Sequence, residues 1–217
     1  LAYDLLRPAS VGISVTPSLI SNITEGKPFS FCIAQSDYKL AGPYEVVARD
    51  GQYRNTKGGS ERDMYAALTC AREGHTAKAL EIISAYAHTL QRFDGHDAPL
   101  CAIQSYNLVR AMTLVREELK VNREEFAAAR NMVRRAMLPL MDRFEADSPY
   151  ANGNWGAIVN RLRMACGIFL QDSMLYRSAI DYYLHANDNG SLPRYIGPSG
   201  QCQETGRDQG HAQMGIG

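Results

Sequence analysis

The sequence lacks the patterns that identify several common classes of protein. Its 217 residues include no run that approaches the roughly 18 uninterrupted apolar residues of a membrane span. They also include no phosphate-binding glycine loop, no Gly-x-Ser-x-Gly motif and no regular alternation of strands and helices. We therefore expect no membrane partner, and neither a nucleotide-binding enzyme nor an α/β-hydrolase is predicted.

Net charge is also absent, because 23 basic residues balance 23 acidic ones. The field of the whole chain therefore gives no reason to expect a nucleic acid as a partner. An acidic ligand would have to be held by a local cluster of side chains. The hydrophobic fraction of 45% and the charged fraction of 21% are those of an ordinary globular protein.

The five cysteines are scattered along the chain, and no Cys-x-x-Cys pair occurs among them. A zinc ribbon and a thioredoxin-like site are therefore not indicated, and we expect no metal and no cofactor. Three of the five, Cys70, Cys101 and Cys166, fall in apolar helical patterns. There we expect buried thiols that pack like small hydrophobic side chains.

Two signs point to a secreted or periplasmic protein. The chain begins at Leu1 with no signal peptide before it, as expected for a processed start. The triplets Asn-Ile-Thr at 22–24 and Asn-Gly-Ser at 189–191 match the acceptor pattern for N-glycosylation, which has meaning only in a secreted eukaryotic protein.

Two regions of different composition divide the chain. Residues 1–59 are rich in Pro, Gly, Ser and Asn, which predicts an irregular N-terminal arm with little helix. Over 60–217 apolar residues recur at steps of three and four, which predicts a helical domain. Short connections favour an all-α fold of antiparallel helical hairpins, either a toroid or a bundle. The predicted helices cover 60–74, 76–93, 99–119, 124–144 with a break at Pro139, 156–171 and 174–185, and a surface loop follows over 188–203.

Polar residues concentrate at two places that a helical core does not require. The first is 150–156, where Asn154 and Trp155, the only tryptophan, stand at a predicted helix entrance. A turn with an N-cap, in which Trp155 anchors the packing, explains these residues structurally. They also suit a carbohydrate, because an aromatic ring can stack on a sugar and an amide can donate hydrogen bonds to a carboxylate.

The second place is 201–213, which combines acidic, basic and imidazole side chains with several amides. Glu204 and His211 lie seven residues apart, so a helical segment would bring both to one face, with Arg207 and Asp208 between them. A structural ion pair explains Arg207 and Asp208 as well as a substrate role does. A solvated surface loop does not explain this mixture beside a helix start.

These two places together resemble a known family. The string Glu-Thr-Gly-Arg-Asp-Gln-Gly-His at 204–211, preceded by Asn-Gly-Ser-Leu-Pro at 189–193, resembles the E-x-x-R-D-x-x-H signature region of the alginate-lyase-like domain. In that domain the signature follows an Asn-Trp helix entrance similar to 154–156. The resemblance runs from about Ser60 onward, is strongest after Ser148, and is closest to the polysaccharide lyases of family thirty-eight. It implies an (α/α) toroid and cleavage of alginate or glucuronan by β-elimination.

The resemblance also implies three catalytic residues. Removing a proton next to a carboxylate builds negative charge on that carboxylate, so a donor must neutralise it while a base takes the proton and an acid protonates the leaving oxygen. Asn154 would neutralise the charge, and Glu204 would share a proton with the carboxylate-binding groups or orient them. His211 would be a base or a carboxylate-binding partner, since imidazole titrates near neutral pH.

Substrate contacts are implied for Trp155, Gln203 and Arg207. Arg207 would either hold the acidic substrate or lock Asp208 and Glu204 in place. The implied partner is therefore an acidic polysaccharide, and the reaction uses no metal and no cofactor.

Lyases of this kind complete the site with a tyrosine on a helix after the histidine, and the sequence up to Gly217 has none there. Tyr176, Tyr182, Tyr183 and Tyr195 precede the motif and are poor substitutes. We therefore expect the toroid to be incomplete at its C-terminus and the chain alone to lack the proton donor for activity.

Two other functions fit the same sequence. A helical-toroid glycoside hydrolase needs two positioned carboxylates, for which Asp172, Asp181 and Glu204 are available without forming an obvious pair. A non-catalytic module would bind polysaccharide or assemble with copies of itself. Because helical toroids host many activities, the choice among these three functions must rest on the local motif and not on the fold.

Overall fold

A computed structural model describes residues 38–49, 61–119, 126–146 and 153–211, and most of these residues are helical. All of them belong to one compact unit, Ala34–Gly217. The elements are β1 (Val46–Ala48), α1 (Glu61–Arg72), α2 (Thr76–Thr89), β2 (Arg92–Asp94), α3 (Ala102–Leu119), α4 (Ala127–Met132), α5 (Leu138–Ala146), α6 (Gly153–Leu170), α7 (Ser173–His185) and α8 (Leu192–Tyr195). The all-α expectation is confirmed, whereas the closed ring of a toroid remains a prediction.

The ends of α1 and the start of α7 lie where the local chemistry of the sequence favours them. Acidic Glu61 and Asp63 occupy the first turn of α1, and Gly74 follows the helix at a φ of +78°, a conformation that suits glycine. The side chain of Asp172 caps α7 by accepting hydrogen bonds from two backbone N–H groups of its first turn. The predictions for α1 and α7 are confirmed.

The helices pack side by side as hairpins. α3 lies between α1 and α6 and packs against both, while α2 packs on α1 and α4, and α7 packs on α6. The apolar stripes of these helices meet in one core. Its fully buried side chains include Met64, Ile82, Tyr86, Leu108, Met112, Leu162 and Phe169. Cys70, Cys101 and Cys166 are buried free thiols, as their apolar surroundings in the sequence predict.

A short parallel sheet replaces the predicted end of the second helix. That prediction extended the helix to Phe93, but α2 ends at Thr89, and β2 pairs with β1 so that Phe93 lies opposite Val47. Both side chains are buried. An apolar Phe93 fits a helical period as well as a strand, so only the distant partner strand decides between them.

The segment before α1 is fastened to the helical core by buried polar contacts. Asp63 is fully buried and accepts hydrogen bonds from the hydroxyls of Tyr38 and Tyr44 and from the backbone N–H of Ala41. The ring of Tyr44 also stacks on Tyr86, with ring centroids 3.7 Å apart. Residues 38–49 belong to the predicted N-terminal arm, whereas its residues 1–37 and 50–59 lie outside the described part of the chain.

Regular α-helix is interrupted before Pro139. Residues Val133–Met137 form a π-helical turn between α4 and α5. Pro139 has no N–H to donate to an earlier carbonyl, so a change of helical pattern beside it is expected. Arg135 in this turn donates hydrogen bonds to the carbonyl of Leu90, which is the C-cap of α2.

None of the described helices is both long and apolar enough to cross a membrane.

Candidate functional site

The first turn of α6 carries the asparagine and the tryptophan that the sequence singles out. The helix begins at Gly153, three residues before its predicted start, so Asn154 and Trp155 lie inside the first turn. Asn154 is fully buried, and neither its Nδ2 nor its Oδ1 has a hydrogen-bond partner among the described residues. Trp155 is half-buried. An amide buried without partners costs free energy of folding, and such groups in native proteins call for an explanation.

The acidic and basic segment forms turns and not a helix over residues 201–208. The N–H of Thr205 donates to the carbonyl of Cys202, and Gly206 adopts a φ of +90°. Helix begins again only at residue 209. Glu204 and His211 therefore do not share the helix face that a continuous helix would have given them.

Gln203 ties this segment to the first turn of α6. Its side-chain Oε1 accepts a hydrogen bond from the backbone N–H of Gly153 at 3.1 Å, and its Nε2 donates to the carbonyl of Arg194 at 3.4 Å. The bond to Gly153 satisfies one of the N–H groups that every helix N-terminus leaves free. Asn154 and Glu204 each lie one residue from this bond, so Gln203 positions the two predicted catalytic residues relative to each other.

Two glycines let neighbouring backbone approach α6 closely. A Cβ added at Gly153 would lie 2.5 Å from both the carbonyl oxygen of Asn189 and Cδ2 of Tyr195. A Cβ added at Gly156 would lie 2.7 Å from Cα of Gly190. A side chain at either position would collide with its neighbours, so the sequence around 189–195 packs directly on the turn that carries Asn154.

Glu204 and Arg207 form an ion pair that is buried at one end. Glu204 is 3% exposed, and its Oε2 accepts a hydrogen bond from Nη1 of Arg207 at 2.6 Å. The side chain of Arg207 is 47% exposed. The buried carboxylate thus has its charge partner, while the guanidinium still presents donors to solvent.

Asp208 holds His211 in one orientation. One carboxylate oxygen of Asp208 accepts the backbone N–H of His211 at 3.1 Å, and the other contacts Nδ1 of the imidazole. These hydrogen bonds, the backbone one first, lower the pKa of Asp208. In a neutral imidazole whose Nδ1 carries the proton that Asp208 accepts, Nε2 is left as an unprotonated acceptor.

Tyr195 is a site neighbour that sequence reasoning set aside. Its ring packs against Gly153, and its buried hydroxyl makes no hydrogen bond to a nitrogen or an oxygen of the described residues. Burial raises the pKa of Tyr195 to about 12, and the neighbouring Cys202 and Glu204 raise it in the same direction. The hydroxyl therefore stays protonated at neutral pH. Nothing in the sequence spacing could have identified it, because it precedes the motif.

The carboxylates considered for a hydrolase have other partners. Asp172 caps α7, and Asp181 forms an exposed pair with His185 on the same helix. Among the described residues, no group of three or more His, Cys, Asp and Glu side chains is arranged to hold a metal ion.

No family model, curated protein or solved structure matches the chain.

Proposed function

We propose that the protein is a polysaccharide lyase that cleaves a uronic-acid-containing polysaccharide, alginate or glucuronan, by β-elimination. The observation that carries the proposal is the amide of Asn154, fully buried with both polar atoms unpartnered, one residue from the hydrogen bond that joins α6 to the 201–211 segment. A polar group kept in this costly state suits a ligand that completes its hydrogen bonds. The resemblance of 204–211 to the lyase signature supports the same reading.

The chemistry requires charge to be neutralised on the sugar carboxylate. When the proton on the carbon next to that carboxylate leaves, its electron pair forms a double bond to the neighbouring carbon, and the bond from that carbon to the glycosidic oxygen breaks. Nδ2 of Asn154 donates to the carboxylate as its negative charge grows. Nε2 of His211, oriented through Asp208, takes the proton.

Substrate binding and proton return fall to the neighbouring residues. Arg207, anchored by buried Glu204, binds a uronate carboxylate, and Trp155 stacks on a sugar ring. The leaving oxygen needs a proton, which the resemblance assigns to a tyrosine later in the fold. We assign this step instead to Tyr195, which is protonated and packs on Gly153, and we therefore expect the chain itself to be active.

The architecture and the location follow from the same proposal. The row of packed helical hairpins, with α3 between α1 and α6, supports an (α/α) toroid. An acidic polysaccharide outside the cell as substrate favours a secreted or periplasmic enzyme.

The test is product analysis with a matched variant. Purified protein is incubated with alginate and with glucuronan, and unsaturated ends are followed by ultraviolet absorbance while reducing ends are measured in parallel. We expect absorbance to rise with reducing ends, and Asn154→Ala to lower the rate by about a hundredfold or more. Asn131→Ala, at an exposed asparagine on α4, should keep the parent rate.

Two outcomes would overturn the proposal. Reducing ends that form without absorbance would identify a hydrolase. Binding of either polysaccharide without any product would identify a non-catalytic module.

A further inference from the structure

Two arginines contact the ring of one tyrosine where α3 packs on α6. The guanidinium carbon of Arg161, on α6, lies 4.4 Å from the centroid of the Tyr106 ring, and that of Arg110, on α3, lies 5.6 Å from the same centroid. All three side chains are partly exposed. The aromatic ring therefore holds both cations in place through cation–π contacts while leaving them accessible to a ligand.

Neither cation has an acidic partner within the described residues. The neighbouring Arg163 on α6, by contrast, pairs with both Asp142 and Glu145. Nε of Arg161 is buried and makes no hydrogen bond there. Burial lowers the pKa of Arg161, Tyr106 raises it, and the positive charge of Arg110 lowers it again. Within the described residues, the Tyr106 ring is thus the stabilising neighbour of these two like charges, and no carboxylate there offsets their repulsion.

The surface around the pair is polar. Gln104, Asn107 and Arg110 follow one another at three-residue steps, which puts them on one face of α3. The amide of Asn107 donates a hydrogen bond to the side-chain oxygen of Gln104 at 2.9 Å. A polar ligand fits this face better than an apolar partner does.

We propose that Arg110 and Arg161, held by Tyr106, form an oxyanion-binding site that takes a carboxylate or a sulfate group. A guanidinium presents a rigid fork of N–H donors that matches two oxygens of such a group. An oxyanion bound by these guanidinium groups brings negative charge beside two like positive charges and so offsets their mutual repulsion. The group belongs either to an acidic sugar or to a free inorganic anion, because both present the same oxygens.

This site is separate from the one around Asn154. Arg161 follows Asn154 by seven residues on α6, which is about 10 Å along the helix axis. The proposed lyase mechanism uses neither Arg110 nor Arg161, so binding at the oxyanion site can be tested without any turnover.

The experiment is a titration of the purified protein with sodium sulfate and, separately, with sodium glucuronate at constant ionic strength. The shift of the Arg161 Nε–Hε resonance in nuclear magnetic resonance spectra reports binding at the site. We expect saturable binding, and we expect Arg161→Gln and Arg110→Gln each to weaken it by about tenfold or more. Binding to Arg110→Gln is followed through the Arg161 resonance, and binding to Arg161→Gln is measured by calorimetry. Arg177→Gln, at an exposed arginine on α7, should bind like the parent.

Folding of the variants is checked by circular dichroism. If Arg161→Gln does not fold, Arg161→Lys is used in its place, because lysine keeps the positive charge but lacks the forked N–H donors of the guanidinium. Binding of glucuronate alone assigns the site to an acidic sugar, binding of sulfate alone assigns it to an inorganic anion, and binding of both assigns it to oxyanions in general. The absence of saturable binding to either probe, or affinities in the folded variants within twofold of the parent, would overturn the proposal.

Discussion

Asp63 and Asn154 are both fully buried polar side chains, and they differ in what surrounds them. Asp63 accepts hydrogen bonds from two tyrosine hydroxyls and one backbone N–H, so its burial fastens the segment before α1 to the core. Asn154 has no hydrogen-bond partner in the described structure for either polar atom.

The difference separates two uses of a buried polar group. A satisfied group such as Asp63 contributes to stability, and its loss leaves its partners unpaired. An unsatisfied group such as Asn154 opposes folding until a bound water or a ligand such as substrate completes its hydrogen bonds. The following experiments ask whether this contrast holds.

The largest expected effect is on catalysis at His211. His211→Gln removes the proposed base, so the lyase rate should fall by about a hundredfold to ten-thousandfold while thermal stability stays near that of the parent. His88→Gln, at an exposed histidine of α2, provides the control in the same absorbance assay. A variant at His211 that kept full activity would remove this side chain from the mechanism.

Asp63→Leu should cause the largest loss of stability. The substitution keeps a similar volume but leaves the donors of Tyr38, Tyr44 and Ala41 without their acceptor. We expect the free energy of unfolding, measured with urea, to fall by about 3 kcal/mol or more. Asp181→Leu, at an exposed aspartate, should change the free energy of unfolding little. An equally small change in Asp63→Leu would contradict the view that Asp63 anchors the segment before α1 to the core.

Gly153→Ala tests the close packing that holds the two halves of the candidate site together. The added Cβ would meet Asn189 and Tyr195 at 2.5 Å and Oε1 of Gln203 at 2.6 Å. Overpacking of this kind should cost about 1–3 kcal/mol in unfolding free energy and should also lower the lyase rate. Gly197→Ala is the control, because its added Cβ would have its nearest neighbour at an ordinary contact distance of 3.6 Å. Equal losses of stability and of lyase rate in the two variants would contradict the close packing at Gly153.

The smallest effect concerns Asp208, whose pKa is lowered by its contacts with His211. A carboxylate with a lowered folded-state pKa stabilises the fold at pH values above its unfolded pKa of about 3.9, and this contribution disappears as the pH falls through the folded value. The melting temperature of the parent should therefore exceed that of Asp208→Asn at neutral pH, and the gap should shrink as the pH falls below the unfolded pKa and through the lowered folded-state pKa. A gap that grew on acidification would have the wrong sign.

The sequence predicts the helices well because each buries an apolar stripe of period 3.6, which local composition records. It does not predict β2, since the pairing of Phe93 with Val47 depends on a strand far away in the chain. It also identifies Asn154 and Glu204 as unusual polar residues but not how they are joined. Gly153 and Gln203 meet across 50 positions of sequence, and no local pattern encodes such a contact.

Asn154→Leu, measured for both stability and lyase rate, tests the central claim most directly. The leucine fills a similar volume and removes two buried polar atoms that have no partner among the described residues. We predict a free energy of unfolding equal to or higher than that of the parent, together with a lyase rate reduced by about a hundredfold or more. A variant destabilised as strongly as Asp63→Leu, with its lyase rate retained, would show that Asn154 serves the fold and not the chemistry.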